Sequence, residues 1–233
     1  KSRAATWIAA LPFFREIGCK MIPAAGCIAM ITRWEQWFTE DNLAKDARIL
    51  SAPPSHSVRQ AAQVFLEKQV HFILDLACGT GRDTAYLSSC GLDVVGADAA
   101  YNGLQAAARI RSTQAGSLAW ANADARQLPF PAGSFQGVYC FGLLHEFIGA
   151  DQAGAVGRVM AEIKRILSPG GVLILTVLAG APSAGLPHVQ FFSREMFDQA
   201  THGLHALEIT EYDDTGCTGR TDYHVWYGAF QKS

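Results

Sequence analysis

The chain has 233 residues, 49% hydrophobic and 17% charged, with a formal net charge of -2. That is enough apolar material for one large core, and the weak acidity excludes a surface built to coat nucleic acid or a polybasic membrane patch. No apolar run reaches the ~20 residues a membrane helix needs, and no linker, charge run or internal repeat divides the sequence.

Residues 1–29 read as an N-terminal extension and residues 30–233 as a single domain. Lys1 and Arg3 precede an apolar run from Ala4 to Phe14, as in a secretory leader. Arg15, Glu16 and Lys20 separate that run from the small residues Ala24-Ala25-Gly26-Cys27, which an export signal should not allow. The expectation is an upstream extension with translation starting at Met21 or Met30, left out of the fold. The six cysteines form no C-x-x-C pair, and Cys78, Cys90 and Cys140 lie in or beside apolar runs. Reduced, packed thiols in a cytoplasmic protein are expected.

A helical pattern covers about Trp34 to Ile49 and is broken by Pro53-Pro54. Ser55 or Ser57 caps a second helix to about Lys68. The strand Phe72–Leu76 follows, then a glycine turn and a helix from about Arg82 to Ser89, closed by Gly91. Next come the strand Asp93–Ala97, a helix from about Asn102 to Gln114, and the strand Ser117–Asn122. Gly137–Phe141 reads as the fourth strand. Gln152–Leu167 has apolar residues at helical spacing, and Ser168-Pro169-Gly170-Gly171 turns the chain into the strand Val172–Val177. Strands alternating with helices at this spacing predict βαβ units and a doubly wound, mostly parallel sheet. Leu207–Glu211 and Tyr223–Phe230 complete seven strands, as an antiparallel hairpin at one edge.

The stretch ILDLACGTGRDT places Asp75 in a buried strand and Gly79 and Gly81 directly after it. In a doubly wound sheet this first βα turn faces the ligand crevice. Glycines there let the backbone approach a ligand, and Asp83 or Thr84 can satisfy the N–H groups that open the next helix. Asp98 lies just past the second strand, 17 residues after Gly81, where a carboxylate can accept from both ribose hydroxyls. An NAD-dependent oxidoreductase shares that arrangement, but Thr84 stands where its fingerprint wants a third glycine, and Asp83 would repel a pyrophosphate. S-adenosylmethionine has a ribose, an ammonium and no phosphate, and Asp75 can attract the ammonium.

At this point the sequence resembles the class I S-adenosylmethionine-dependent methyltransferases. The matching pieces are ILDLACGTGRD, VVGADAA, ANADARQLPFPAGSFQGVYCFGLLHEF and EIKRILSPGGVLIL, in that order, over about Phe72 to Val177. It looks closest to the small-molecule branch that includes the ubiquinone-biosynthesis and tellurite-resistance types. The resemblance implies that Asp75, Ala77, Cys78, Gly79 and Gly81 line the methionine end of the cofactor. It further implies that Asp98 binds the ribose, that Asp124 with Ala125 meets the adenine amino group, and that Cys140 or Phe141 touches the methionine portion. Its relatives read S-F-D before the fourth strand where this chain has Ser134-Phe135-Gln136; altered local packing without loss of activity is expected.

Methyl transfer from a sulfonium asks mainly for positioning, with a base where the nucleophile carries a proton. His145 and Glu146 follow the fourth strand and are candidates to face a small-molecule acceptor, His145 as base; the alternative is that His145 orders the loop. Trp34, Trp37 and Phe38 share one helical side and can close over the cleft. The loop 180–192 and the aromatics of the last strand are further candidates for substrate contact. No metal-ligand spacing is present. A non-catalytic or partner-dependent cofactor-binding protein has the same motifs, and nothing fixes the oligomeric state.

Overall fold

The computed structural model describes residues 28–45, 48–111, 116–180, 188–215 and 221–233; nearly all of the expected extension lies outside them. A seven-stranded sheet runs in the order β3-β2-β1-β4-β5-β7-β6. Its strands are β1 (Phe72–Leu76), β2 (Asp93–Asp98), β3 (Leu118–Asn122), β4 (Phe135–Phe141), β5 (Leu167–Leu178), β6 (His205–Thr215) and β7 (Thr221–Gln231). The first five pair in parallel and β7 is antiparallel to both β5 and β6. The expected mostly parallel sheet with an antiparallel C-terminal edge is what the chain forms.

The helices are α1 (Ile28–Trp37), α2 (Glu40–Lys45), α3 (Arg48–Ser51), α4 (His56–Glu67), α5 (Arg82–Ser89), α6 (Tyr101–Ile110), α7 (Gln152–Ile166) and α8 (Arg194–Thr201). Two differ from the sequence pattern. The single helix expected over Trp34–Ile49 is three pieces, and α8 was not expected at all. Ser193 starts α8 by accepting from the Met196 N–H at 3.3 Å, a cap signal hidden behind the Gly/Pro-rich loop. Ser55 caps α4 as expected, accepting from the Val58 N–H at 3.0 Å. β5 also extends back through Leu167–Gly171, where a turn was expected, because Gly170 N–H reaches the Lys232 carbonyl at 3.0 Å and Lys232 N–H returns to Gly171 at 2.9 Å.

Strand side chains alternate between two apolar layers. Leu74, Leu76, Val138, Leu173 and Leu175 pack with α7 through Val159, Met160 and Ile163, and with Phe197 of α8. Ile73, Val94, Tyr139, Ile174 and Tyr227 pack with α4 through Val58, Ala61, Ala62 and Phe65. Gln136, the residue that departs from the family pattern, accepts from the N–H groups of His71 (2.9 Å) and Phe72 (3.1 Å), tying the start of β1 to β4. Among the described residues no helix is long and apolar enough to cross a membrane.

Candidate active site

The sheet order reverses between β1 and β4, and the loop 77–81 emerges at that switch point. Ala77, Gly79 and Gly81 have φ of 65°, 54° and 70°. This alternation of left-handed residues winds the loop tightly, and the N–H groups of Ala77 and Cys78 both donate to the Ala97 carbonyl, at 2.8 and 3.1 Å. Glycine suits positions 79 and 81; Ala77 holds the same conformation against its Cβ.

The bare faces of the two glycines do not stand open. Phe38 Cζ is 3.3 Å from where a Cβ on Gly79 would be, and Trp120 Cη2 is 2.3 Å from a Cβ on Gly81. The absence of side chains at these positions makes room for aromatic rings from the chain itself.

Asp75 is 2% exposed and shares the α4/α5 face of the sheet with Tyr139, its register partner on β4. Thr84 of α5 donates to its carboxyl. Burial chiefly, with the Asp83 and Asp98 carboxylates adding, raises Asp75 to about 8, against the Thr84 bond. A buried carboxyl in this state suits a ligand bearing an ammonium, which supplies the counter-charge that burial withholds. Neither Asp83 nor Thr84 caps α5, contrary to expectation. Asp83 turns inward and accepts from the Ser55 N–H (3.1 Å), Ser55 Oγ (2.8 Å) and Tyr139 OH (3.2 Å), and from Arg82 Nε at 2.8 Å. That buried, compensated carboxylate is no barrier to a ligand phosphate, so the sequence-based objection resting on Asp83 falls; it is a structural knot joining α4, α5 and β4.

Asp98 ends β2. Its Oδ2 accepts from the Gly79 N–H at 2.8 Å and its Oδ1 from the Ala100 N–H at 2.7 Å. Burial raises its pKa and these two bonds oppose the rise. Each oxygen keeps a second lone pair, the complement of two adjacent hydroxyls. Asp124, after β3, is clasped by Arg126 through its Nε and Nη2 and its backbone N–H, with Oδ1 at 2.9 Å from both Nε and N. Ala125 beside it is buried.

The two cysteines pack against the sheet. Cys78 Sγ lies 3.1 Å from where a Cβ on Gly96 would be, against β2, and burial, then Asp75 and Asp98, push its thiol up. Cys140 is fully buried in the α7 layer and its thiol is likewise pushed up by burial. Phe141, one residue on, is half-buried with the Arg82 guanidinium 5.6 Å above its ring.

His145 sits in a short 3-10 helix, Leu144–Glu146. Its Nδ1 accepts from the Leu178 N–H at 3.2 Å, and its carbonyl accepts from the Gln190 N–H at 2.7 Å. Burial, then Arg33, lower its pKa to about 3. The ring is therefore neutral with its proton on Nε2, a donor rather than an acceptor on that side. This geometry opposes the base role and favours the alternative, loop ordering. Glu146 is paired with Arg33 of α1. Trp34 stacks on Phe38 at 5.6 Å, while Trp37 is exposed. Loop residues 181–187 lie outside the described residues; Phe192 at its far end is buried and donates to the Leu178 carbonyl at 2.8 Å. Tyr227 is in the core and Trp226 Nε1 donates to the Phe192 carbonyl at 3.1 Å, so these two are structural. Sequence reasoning missed Glu35 and Arg33 of α1; their charges carry no periodic signal. Among the described residues no group of side chains could hold a metal ion.

Residues 74–175 match a family model described as Methyltransferase domain. The chain is 36% identical over 140 residues to a demethylmenaquinone methyltransferase of Thermus thermophilus, covering 58% of this chain and 61% of that one. It is 34% identical over 126 residues to the enzyme of the same name from Beutenbergia cavernae, covering 54% of this chain and 48% of that one. The chain thus spans 48% to 61% of these relatives' lengths. The N-methyltransferase NodS from Bradyrhizobium japonicum, solved with S-adenosyl-L-homocysteine, superposes with a TM-score of 0.64 at 16% identity, covering 87% of this chain and 98% of that one. The strand order and the loop at the switch point fit this match, and residues 74–175 are similar to the methyltransferase domain family on a sheet that these solved methyltransferases share.

Proposed function

We propose that the chain transfers the methyl group of S-adenosylmethionine to a small-molecule acceptor. The observation that carries the reading is the pair of carboxyls flanking the loop 77–81: Asp75, buried and needing a counter-charge, and Asp98, with a lone pair left on each oxygen. Asp75 is the ammonium partner, with Ala77, Cys78, Gly79 and Gly81 offering backbone around it. Asp98 takes the ribose hydroxyls, Asp124 and Ala125 border the adenine, and Phe141 with the Cys140 backbone closes the β4 side. When bound, the cofactor would supply an electrophilic methyl on a sulfonium, to be taken by the acceptor lone pair with a neutral thioether as the leaving group. With His145 engaged at Nδ1, the chain's part is positioning and exclusion of water, which suits an ionised or soft nucleophile. The relatives named demethylmenaquinone methyltransferase make reduced quinones the first acceptors to try. Residues 30–233 act as one domain, and the free thiols Cys78, Cys90 and Cys140 support a reducing, cytoplasmic setting.

Mass spectrometry of ligands that copurify, followed by a methyl-transfer screen over quinols, phenols, thiols and metalloid oxyanions, tests the reading. Copurifying S-adenosylmethionine or S-adenosylhomocysteine and a methylated product support it. A copurifying nicotinamide dinucleotide overturns it, and cofactor binding without transfer to any acceptor class turns it into a binding protein.

A further inference from the structure

Helix α1 is tied down on both sides of the switch point. On one side Glu35 accepts from the backbone N–H groups of Tyr101 at 2.6 Å and Asn102 at 3.0 Å, and Asn102 Nδ2 donates to the Glu35 carbonyl at 2.9 Å. These groups open α6, directly after β2. On the other side Arg33 pairs with Glu146 and reaches the His188 carbonyl at 3.4 Å, beyond β4. β1 lies between β2 and β4, so α1 crosses the carboxyl edge of the sheet over the loop 77–81. Phe38, the residue after α1, rests its ring against both Gly79 and Gly103.

Among the described residues, the rest of its hold is a small apolar patch. The apolar patch beneath it consists of Phe38, Leu43, Ala100 and Ala106, with Trp34 and Leu50 at its margin, and is separate from both layers of the main core. Polar ties at two ends over a small apolar underside are the makings of a unit that opens locally while the sheet stays folded.

We propose that α1 is a strap that undocks to admit and release the ligand of the site it crosses, with Glu35 as its latch. This rests on reading that site as the S-adenosylmethionine pocket. With Phe38 on Gly79 and Glu35 on α6, these contacts narrow the approach to the loop from the α6 side. Passage in either direction requires breaking the same bonds, so a weaker latch speeds both. A contact made only with the bound ligand would alter departure alone.

Glu35→Gln keeps the shape and removes the charge. Stopped-flow measurement with S-adenosylhomocysteine should show association and dissociation both faster by about 10-fold, with Kd changed less than about threefold, from loss of one charge-assisted bond. Arg33→Gln should shift both rates in the same direction. Unchanged rates, or faster dissociation with unchanged association, would overturn the strap, the latter making α1 a fixed wall. Hydrogen exchange gives an independent arm without ligand. In the wild type α1 should exchange through openings that leave β1 and β4 protected, and Glu35→Gln should speed the Tyr101 and Asn102 amides. Exchange of α1 only together with the sheet would overturn the proposal. A wild type that fails to bind S-adenosylhomocysteine defeats the pocket reading, and the exchange arm still decides the strap.

Discussion

Thr84 of α5 donates its hydroxyl to the buried Asp75 carboxyl of β1. That single bond, in a site 2% exposed, leaves a carboxyl raised to about 8 by burial. An unfolded aspartate titrates near 4. Between about pH 4 and pH 8 the folded chain therefore holds a proton that the unfolded chain has lost, and this group's contribution makes stability fall as pH rises through that window. An ammonium beside Asp75 favours the carboxylate and expels the proton. Affinity for S-adenosylhomocysteine should climb from about pH 6 to pH 8, with release of close to one proton at neutral pH, read by calorimetry in buffers of different ionisation enthalpy. Asp75→Asn should abolish the climb and weaken binding at about pH 8.5 by roughly 10- to 100-fold. A flat profile with no proton release would remove the ammonium role from Asp75.

Ala77 has a φ of 65°. A Cβ in this conformation costs roughly 1–2 kcal/mol, more than the backbone entropy a glycine loses. Ala77→Gly should raise unfolding free energy by about 0.5–1 kcal/mol in denaturant titration. A loss of stability would mean the methyl makes contacts that outweigh the strain.

Trp120 fills the space above Gly96, where a Cβ would meet its Cζ3 at 2.6 Å. Gly96→Ala should cost about 1–3 kcal/mol through overpacking, and Trp120→Leu should relieve most of that cost in a double-mutant cycle. Additive effects of the two changes would show that the ring and the glycine are independent.

His145 serves Leu178 through Nδ1. His145→Asn, whose carbonyl oxygen can replace that acceptor, should keep turnover of an identified acceptor within about tenfold. His145→Ala should lower stability by roughly 1–3 kcal/mol, the cost of an unpaired N–H. A drop in turnover of ~10²–10⁴ in His145→Asn, at unchanged stability and cofactor affinity, would restore the base role.

The sheet was legible because period-2 and period-3.6 patterns report burial, and the buried strands of the parallel half are mostly apolar, as in Val172–Leu175. The site was legible only in part. Asp75 and Asp98 stand out because packing alone gives no reason for a carboxylate there. The partners that define their chemistry are set by contacts distant in sequence: Thr84 to Asp75, Gly79 to Asp98, Ser55 to Asp83. Asp98 also holds two backbone N–H groups, a role in the loop that the sequence does not display. Glu35 and Arg33 were invisible because a charged residue on a helix reads as solvated surface until its partners are known. α8 was missed because its start lies just past a loop that masks the cap.

The central claim is that Asp98 and its loop hold S-adenosylmethionine. Calorimetric titration of the wild type and Asp98→Ala with S-adenosylmethionine, S-adenosylhomocysteine and NAD tests it most directly. The wild type should bind the first two and not NAD. The variant should lose roughly 30- to 150-fold in affinity for both, corresponding to about 2–3 kcal/mol of hydrogen bonding to the ribose. The variant should also melt lower without ligand, because Gly79 and Ala100 lose their acceptor. Tight binding of NAD to the wild type, or unchanged S-adenosylhomocysteine affinity in a folded Asp98→Ala, would contradict the account.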